Sequence, residues 1–267
     1  FGSEQFGNLI QFSGMISIFG IFKKLKKNNN YFYLLLFLTS PVILFLSSTA
    51  KPQLFHLCSV AVIFSLYFFE HTKNLTFSEK KWKIIISIFV LIVSVSAKFN
   101  FILSSFLLTL IILHNSIREK TFLNFLFIST IAFLVFYLPI ITWKYNNFGG
   151  TIFQYLYSPV PLNIIGLEEF KQYLVRYGRG NNLIEILFTT KLNQFTNSVG
   201  IAFLYLLIVN FREKKAFIAF VFISIYIFFL YYYGQFVGRS FLEPLLWILL
   251  ICARYGVFYK IKIFGFL

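Results

Sequence analysis

Residues 84–114 read IIISIFVLIVSVSAKFNFILSSFLLTLIILH, and the way they cross a membrane decides the fold. As one helix they would run about 46 Å, too long for a hydrocarbon core of ~30 Å without steep tilt. Lys98 and Asn100 would then sit at mid-membrane, where a lipid-buried charge is costly. Two short spans, 84–97 and 99–114, meeting at a turn on Lys98, remove both problems.

Working outward, the same composition recurs along the chain. Hydrophobic residues make up 58% and charged residues 12%, with mean hydropathy +0.78, well short of the roughly 25% charge of a soluble domain. Apolar segments at 6–22, 31–50, 54–70, 122–142, 198–211, 216–233 and 240–253 join the central pair. The expected fold is all-α: a polytopic transmembrane bundle of about nine spans with one long external loop carrying short helices. The organisation that follows is 1–142 transmembrane, 143–197 external loop and 198–267 transmembrane.

Charge tests the alternation. The connectors on one side carry sixteen Lys and Arg residues, at 23–27, 73–83, 118–120, 212–215 and 254–262. On the other side the short connectors carry three, Lys51, Lys98 and Arg239; five more lie in the long loop, and long loops count little. A single helix over 84–114 would place Arg212, Lys214 and Lys215 outside, so the charge bias supports the split. The 143–197 loop therefore faces away from the cytoplasm, as in a bacterial inner membrane protein. The net charge of +15 is spread between spans and not along one face, which argues against nucleic acid as a partner. Cys58 and Cys252 lie within apolar spans and read as buried thiols. The chain begins at Phe1 and not at Met, and residues upstream are expected.

No Walker loop, dinucleotide fingerprint or nucleophile elbow is present. His56, His71 and His114 are too scattered for a zinc site. What remains are charges at span ends. Lys98 caps the central turn, and Arg239 opens a span containing Glu243 and Pro244. Lys144 follows Trp143, beside Tyr145 and Asn147. A cation at the interface can meet a phosphate headgroup, while snorkelling at a helix end is the plain alternative. Glu168 and Glu169 are the only adjacent acids among nine glutamates and no aspartates. They could act as a base or hold a divalent metal, or simply favour a helix start. No catalytic residue is assigned, and no cofactor is certain.

Three passages in this order carry a resemblance: Ser96-Ala97-Lys98-Phe99-Asn100-Phe101-Ile102-Leu103; Leu138-Pro139 with Trp143-Lys144-Tyr145-Asn146-Asn147-Phe148-Gly149-Gly150 and Tyr157-Ser158-Pro159; and Gly238-Arg239-Ser240-Phe241-Leu242-Glu243-Pro244. The chain resembles the GT-C superfamily of multi-span glycosyltransferases, which includes dolichyl-phosphate-mannose-protein mannosyltransferase and aminoarabinose-transferase-like proteins. The likeness covers roughly 7–255, without the family's Asn-Pro after the glycine.

The resemblance implies transfer of a sugar from a polyprenyl-phosphate donor to a glycan, lipid or protein acceptor outside the cytoplasm. It puts Lys98 and Arg239 at lipid phosphate and the acceptor beside the loop residues Lys144, Tyr145, Asn147, Glu168 and Glu169. The family's catalytic acid sits in the first external loop, and this chain begins about where that loop would end and has no aspartate. Either the acid is upstream of Phe1 or the chain is a divergent member without that activity. Two other readings compete, an O-antigen polymerase- or ligase-like enzyme and a lipid or polysaccharide transporter. A transporter would show charge at mid-span and an internal repeat.

Overall fold

The structure, a computed structural model, describes residues 2–25, 30–47, 53–69, 76–157, 172, 187, 198–210, 212–233 and 238–257. Among them the fold is all-helical; the only β pairing is an isolated antiparallel bridge between Val209 and Val257. The helices are α1 (Gly2–Lys24), α2 (Asn30–Leu38), α3 (Pro41–Ser47), α4 (Gln53–Phe68), α5 (Phe77–Ala97), α6 (Ile102–Arg118), α7 (Phe122–Ala132), α8 (Leu138–Phe148), the single turn α9 (Gln154–Tyr157), α10 (Lys214–Tyr233) and α11 (Leu242–Tyr255). They fall into two units, one of Phe1–Phe69 with Asn181–Leu267 and one of Glu70–Gly180.

In the first unit α11 is the centre. Every residue from Leu242 to Ala253 is buried, the signature of a helix apolar on all sides. It packs against α2, α4, α10 and the 3-10 segment Ile201–Ile208. Trp247 is its anchor, stacked on Phe64 at 5.1 Å and edge-on to Tyr226 at 5.0 Å. Beside it, α1 lies so close to α4 that a Cβ on Gly14 would come 2.8 Å from the Phe55 Cα. Small residues permit such approach where helices associate by packing alone. The Gln11 side chain then accepts the Phe55 backbone N–H at 3.0 Å, satisfying one of the free donors that open α4.

Pro41 divides the 31–50 segment into α2 and α3. The freed backbone is tied elsewhere: Ser40 Oγ donates to the Val199 carbonyl at 2.7 Å, and the Val42 N–H donates to the Ser198 carbonyl at 3.2 Å. Irregular backbone inside an apolar bundle persists only where protein supplies such partners.

In the second unit α5 and α6 form a hairpin about Lys98, with Ser105 Oγ donating across it to the Leu91 carbonyl at 3.4 Å. The 84–114 stretch is thus two helices, as its length and its mid-point lysine require. The first begins earlier than expected, at Phe77, because Thr76 and Glu79 make a complete capping box. The polar connector His71–Lys83 is shorter by those residues.

Pro139 does not end its span. The helix passes through a π-helical turn, Phe133–Tyr137, and continues as α8 to Phe148. A proline removes an N–H and crowds the carbonyl of the preceding turn; the wider turn absorbs both. Trp143, Lys144, Tyr145 and Asn147, expected at the start of the external loop, therefore occupy the last turns of a helix.

About nine crossings were expected, but only two helices among the described residues are long and apolar enough by themselves, Phe122–Phe148 and Lys214–Tyr232. The other segments are helical but shorter, broken or more polar: Gln53–Phe68 and Ile102–Arg118 fall below the length of a span, and Pro41 splits a third. The two long helices turn apolar side chains outward, with Leu123 80%, Phe127 68% and Phe228 55% exposed. Exposed apolar faces of this size suit an apolar solvent, and both helices have the length and composition to cross a membrane.

Candidate functional site

Residues 238–243 form the head of the most deeply buried helix. A 3-10 turn, Gly238–Phe241, runs directly into α11, and Arg239 stands on that turn. The helix follows without a side-chain cap on its Ncap residue, Phe241. Its free N–H groups and dipole make this end electropositive. The Arg239 Nε is buried and has no hydrogen-bond partner among the described residues. One turn further on, the buried Glu243 carboxylate accepts a hydrogen bond from the Tyr226 hydroxyl of α10. Glu243 lies one turn beyond Arg239, and a tyrosine from another helix meets it. The Trp247 Nε1, another turn along, is also buried without a partner among the described residues. Sequence reading missed Tyr226 and Trp247, since each looks like one more aromatic in an apolar run.

Lys98 occupies the turn of the α5–α6 hairpin. It is half-buried, with extended backbone, and its N–H donates to the Ser94 carbonyl at 3.0 Å. The 3-10 turn Phe99–Phe101 then starts α6, and the Phe101 N–H donates to the Lys98 carbonyl at 3.1 Å. The Lys98 backbone is thus held at the corner between two helices.

Lys144, Tyr145 and Asn147 stand on the end of α8, where Tyr145 is exposed and Lys144 half-buried. Asn147 Nδ2 donates back to the Trp143 carbonyl at 2.7 Å, so its amide serves the helix end. Gly149 follows at φ 69°, a conformation that glycine adopts freely. Tyr155 fixes this corner: its hydroxyl donates to the Gly149 carbonyl at 2.7 Å, and its own carbonyl accepts from the Tyr137 hydroxyl at 3.3 Å. Tyr155 is buried although it lies in the expected loop.

Glu168, Glu169 and most of the 143–197 loop lie outside the described residues. Among the described residues no three His, Cys, Asp or Glu side chains converge on a possible metal position. Cys58 and Cys252 are buried free thiols, as their apolar surroundings require. Lys98, Lys144, Tyr145 and Asn147 belong to the second unit and Arg239 to the first.

No curated protein and no solved structure matches this chain. A family model does match, over residues 1–264. The chain belongs to the DUF1420 N-terminal domain family.

Proposed function

We propose that this chain is a membrane glycosyltransferase of the GT-C type, moving a sugar from a polyprenyl-phosphate donor to an acceptor on the non-cytoplasmic face. In this reading its apolar helices sit in a bacterial inner membrane, and the segment after Phe148 lies outside the cytoplasm. The observation that carries the reading is Arg239, whose buried Nε has no hydrogen-bond partner among the described residues, at the electropositive head of α11. In the transfer, the acceptor oxygen bonds to the anomeric carbon while the bond from that carbon to the phosphate oxygen breaks. The lipid phosphate leaves with the bonding electrons, and the acceptor proton passes to a carboxylate base. A guanidinium held beside that phosphate stabilises the charge that grows as the bond breaks. Lys98, at the hairpin corner of the second unit, is proposed as a phosphate-binding cation of that unit in its own right. The test is sugar transfer from a labelled polyprenyl-phosphate donor in membranes containing the protein. Arg239→Lys should lower turnover about a hundredfold, the scale of losing one oriented donor. Absence of transfer by the unaltered protein, or full turnover by the variant, overturns the reading.

One observation favours a transporter instead: the acid Glu243 is buried in the central helix and joined to Tyr226. Interior carboxylates mark ion and proton pathways in membrane proteins. Movement of a labelled lipid-linked sugar across reconstituted vesicles, without sugar transfer, would decide for it.

A further inference from the structure

The hairpin end opposite Lys98 has no part in the function proposed above, yet it is built as a charged corner. Because the hairpin folds back on Lys98, the first turns of α5 lie at the same end of it as the last turn of α6. Lys80 and Lys81 stand on α5, and Arg118 and Lys120 at the end of α6. Lys81, Arg118 and Lys120 are exposed. The four cations Lys80, Lys81, Arg118 and Lys120 outnumber the neighbouring acids Glu79 and Glu119, so the corner is net positive. Glu79 is held in its capping box, accepting from the Thr76 N–H at 2.7 Å and from the Thr76 hydroxyl at 2.8 Å. Glu119 is half-buried.

Lys120 is the informative residue. It is the one non-glycine residue with positive φ, 58°, among the described residues. The Thr121 N–H bonds to the Ser116 carbonyl at 2.8 Å and the Lys120 N–H to the Ile117 carbonyl at 3.3 Å. This is the helix-ending motif in which glycine is the ordinary occupant. A lysine there accepts backbone strain and keeps a cation at the corner. Next to the cations, Trp82 is 60% exposed and Phe77 63%, and the exposed apolar face of α7 begins at Leu123. Cations, an amphipathic aromatic and an apolar wall are the groups that suit the headgroup, interface and acyl layers of a leaflet.

We propose that this corner, formed by Lys80, Lys81, Trp82, Arg118 and Lys120, is a docking surface for the anionic headgroups of phospholipids in the cytoplasmic leaflet. The charge complementarity and the continuity with the apolar face of α7 commit the surface to lipid. Free phosphate would have no use for the aromatic and apolar parts.

The full chain in phosphatidylcholine vesicles, with spin-labelled phosphatidylglycerol or phosphatidylcholine as probe, tests this. The unaltered protein should associate with phosphatidylglycerol about fivefold more strongly, the scale of one cation engaged at the membrane surface. The combined variant Lys80→Gln, Lys81→Gln, Arg118→Gln, Lys120→Gln should bring the two lipids level. The set Lys80→Arg, Lys81→Arg, Lys120→Arg should keep the preference. If the glutamine variant does not fold, the unaltered protein answers by salt, since raising it from ~0.05 to ~0.5 M should remove the preference. Equal association at low salt overturns the proposal, as do a preference unmoved by salt or by the glutamine set, and competition by inorganic phosphate at constant ionic strength.

Discussion

Single residues carry the cleanest tests of this structure. Lys120 adopts φ 58°, where a side chain costs about 1–2 kcal/mol relative to glycine. Lys120→Gly should therefore raise stability by roughly 1 kcal/mol, read as a later unfolding midpoint in denaturing detergent. Tyr226 gives the opposite sign. Its hydroxyl donates to a buried carboxylate, and Tyr226→Phe leaves that oxygen without the bond, at about 1–3 kcal/mol. Equal unfolding midpoints for Tyr226→Phe and the unaltered protein would refute this. Glu79 is the pH-dependent case. The Thr76 backbone N–H, followed by its hydroxyl, holds the Glu79 carboxyl below its ordinary value. A carboxyl lowered on folding stabilises above its unfolded pKa, and that contribution fades as pH falls through the folded one. The stability difference between the unaltered protein and Glu79→Ala should thus be present at neutral pH and vanish in acid. A difference that grew on acidification would have the wrong sign.

Helices fail or hold by how closely they meet. The approach of α1 to α4 leaves no room for a methyl group, since the obstacle at Gly14 is the Phe55 Cα. Backbone cannot rotate aside, so Gly14→Ala should destabilise by about 1–3 kcal/mol, while the same change at Gly20, which has nothing within 4 Å, should be tolerated. Thermal unfolding of both variants in detergent checks the contrast. The hairpin turn was legible in the sequence because Lys98 interrupts an apolar run too long for one crossing. The passage through Pro139 was not, because a proline inside a span reads the same whether the helix stops there or widens by one turn.

At the scale of the whole chain, the first unit depends on one helix buried from Leu242 to Ala253. Trp247 fills its centre, so Trp247→Ala should cost about 3–5 kcal/mol and loosen the packing of α4 and α10 around it. Limited proteolysis of the variant should cut faster in these helices, and unchanged resistance would refute a central role. The candidate site divides in the same way between what could be read and what could not. Arg239 and Lys98 were legible because a cation at the end of an apolar run is conspicuous. The pairing of Glu243 with Tyr226 was not, since it joins two helices whose neighbourhood no local pattern encodes. The sequence by itself determined that the chain is helical and rich in apolar segments, two of them long enough to cross a membrane, because apolar content and segment length need no partner. Only the tertiary structure decided that α11 is the innermost helix, that α2 and α3 are separate, and that Trp143–Phe148 continues a helix. Those outcomes depend on which groups meet across the fold, where buried backbone and side chains must find partners far away along the chain.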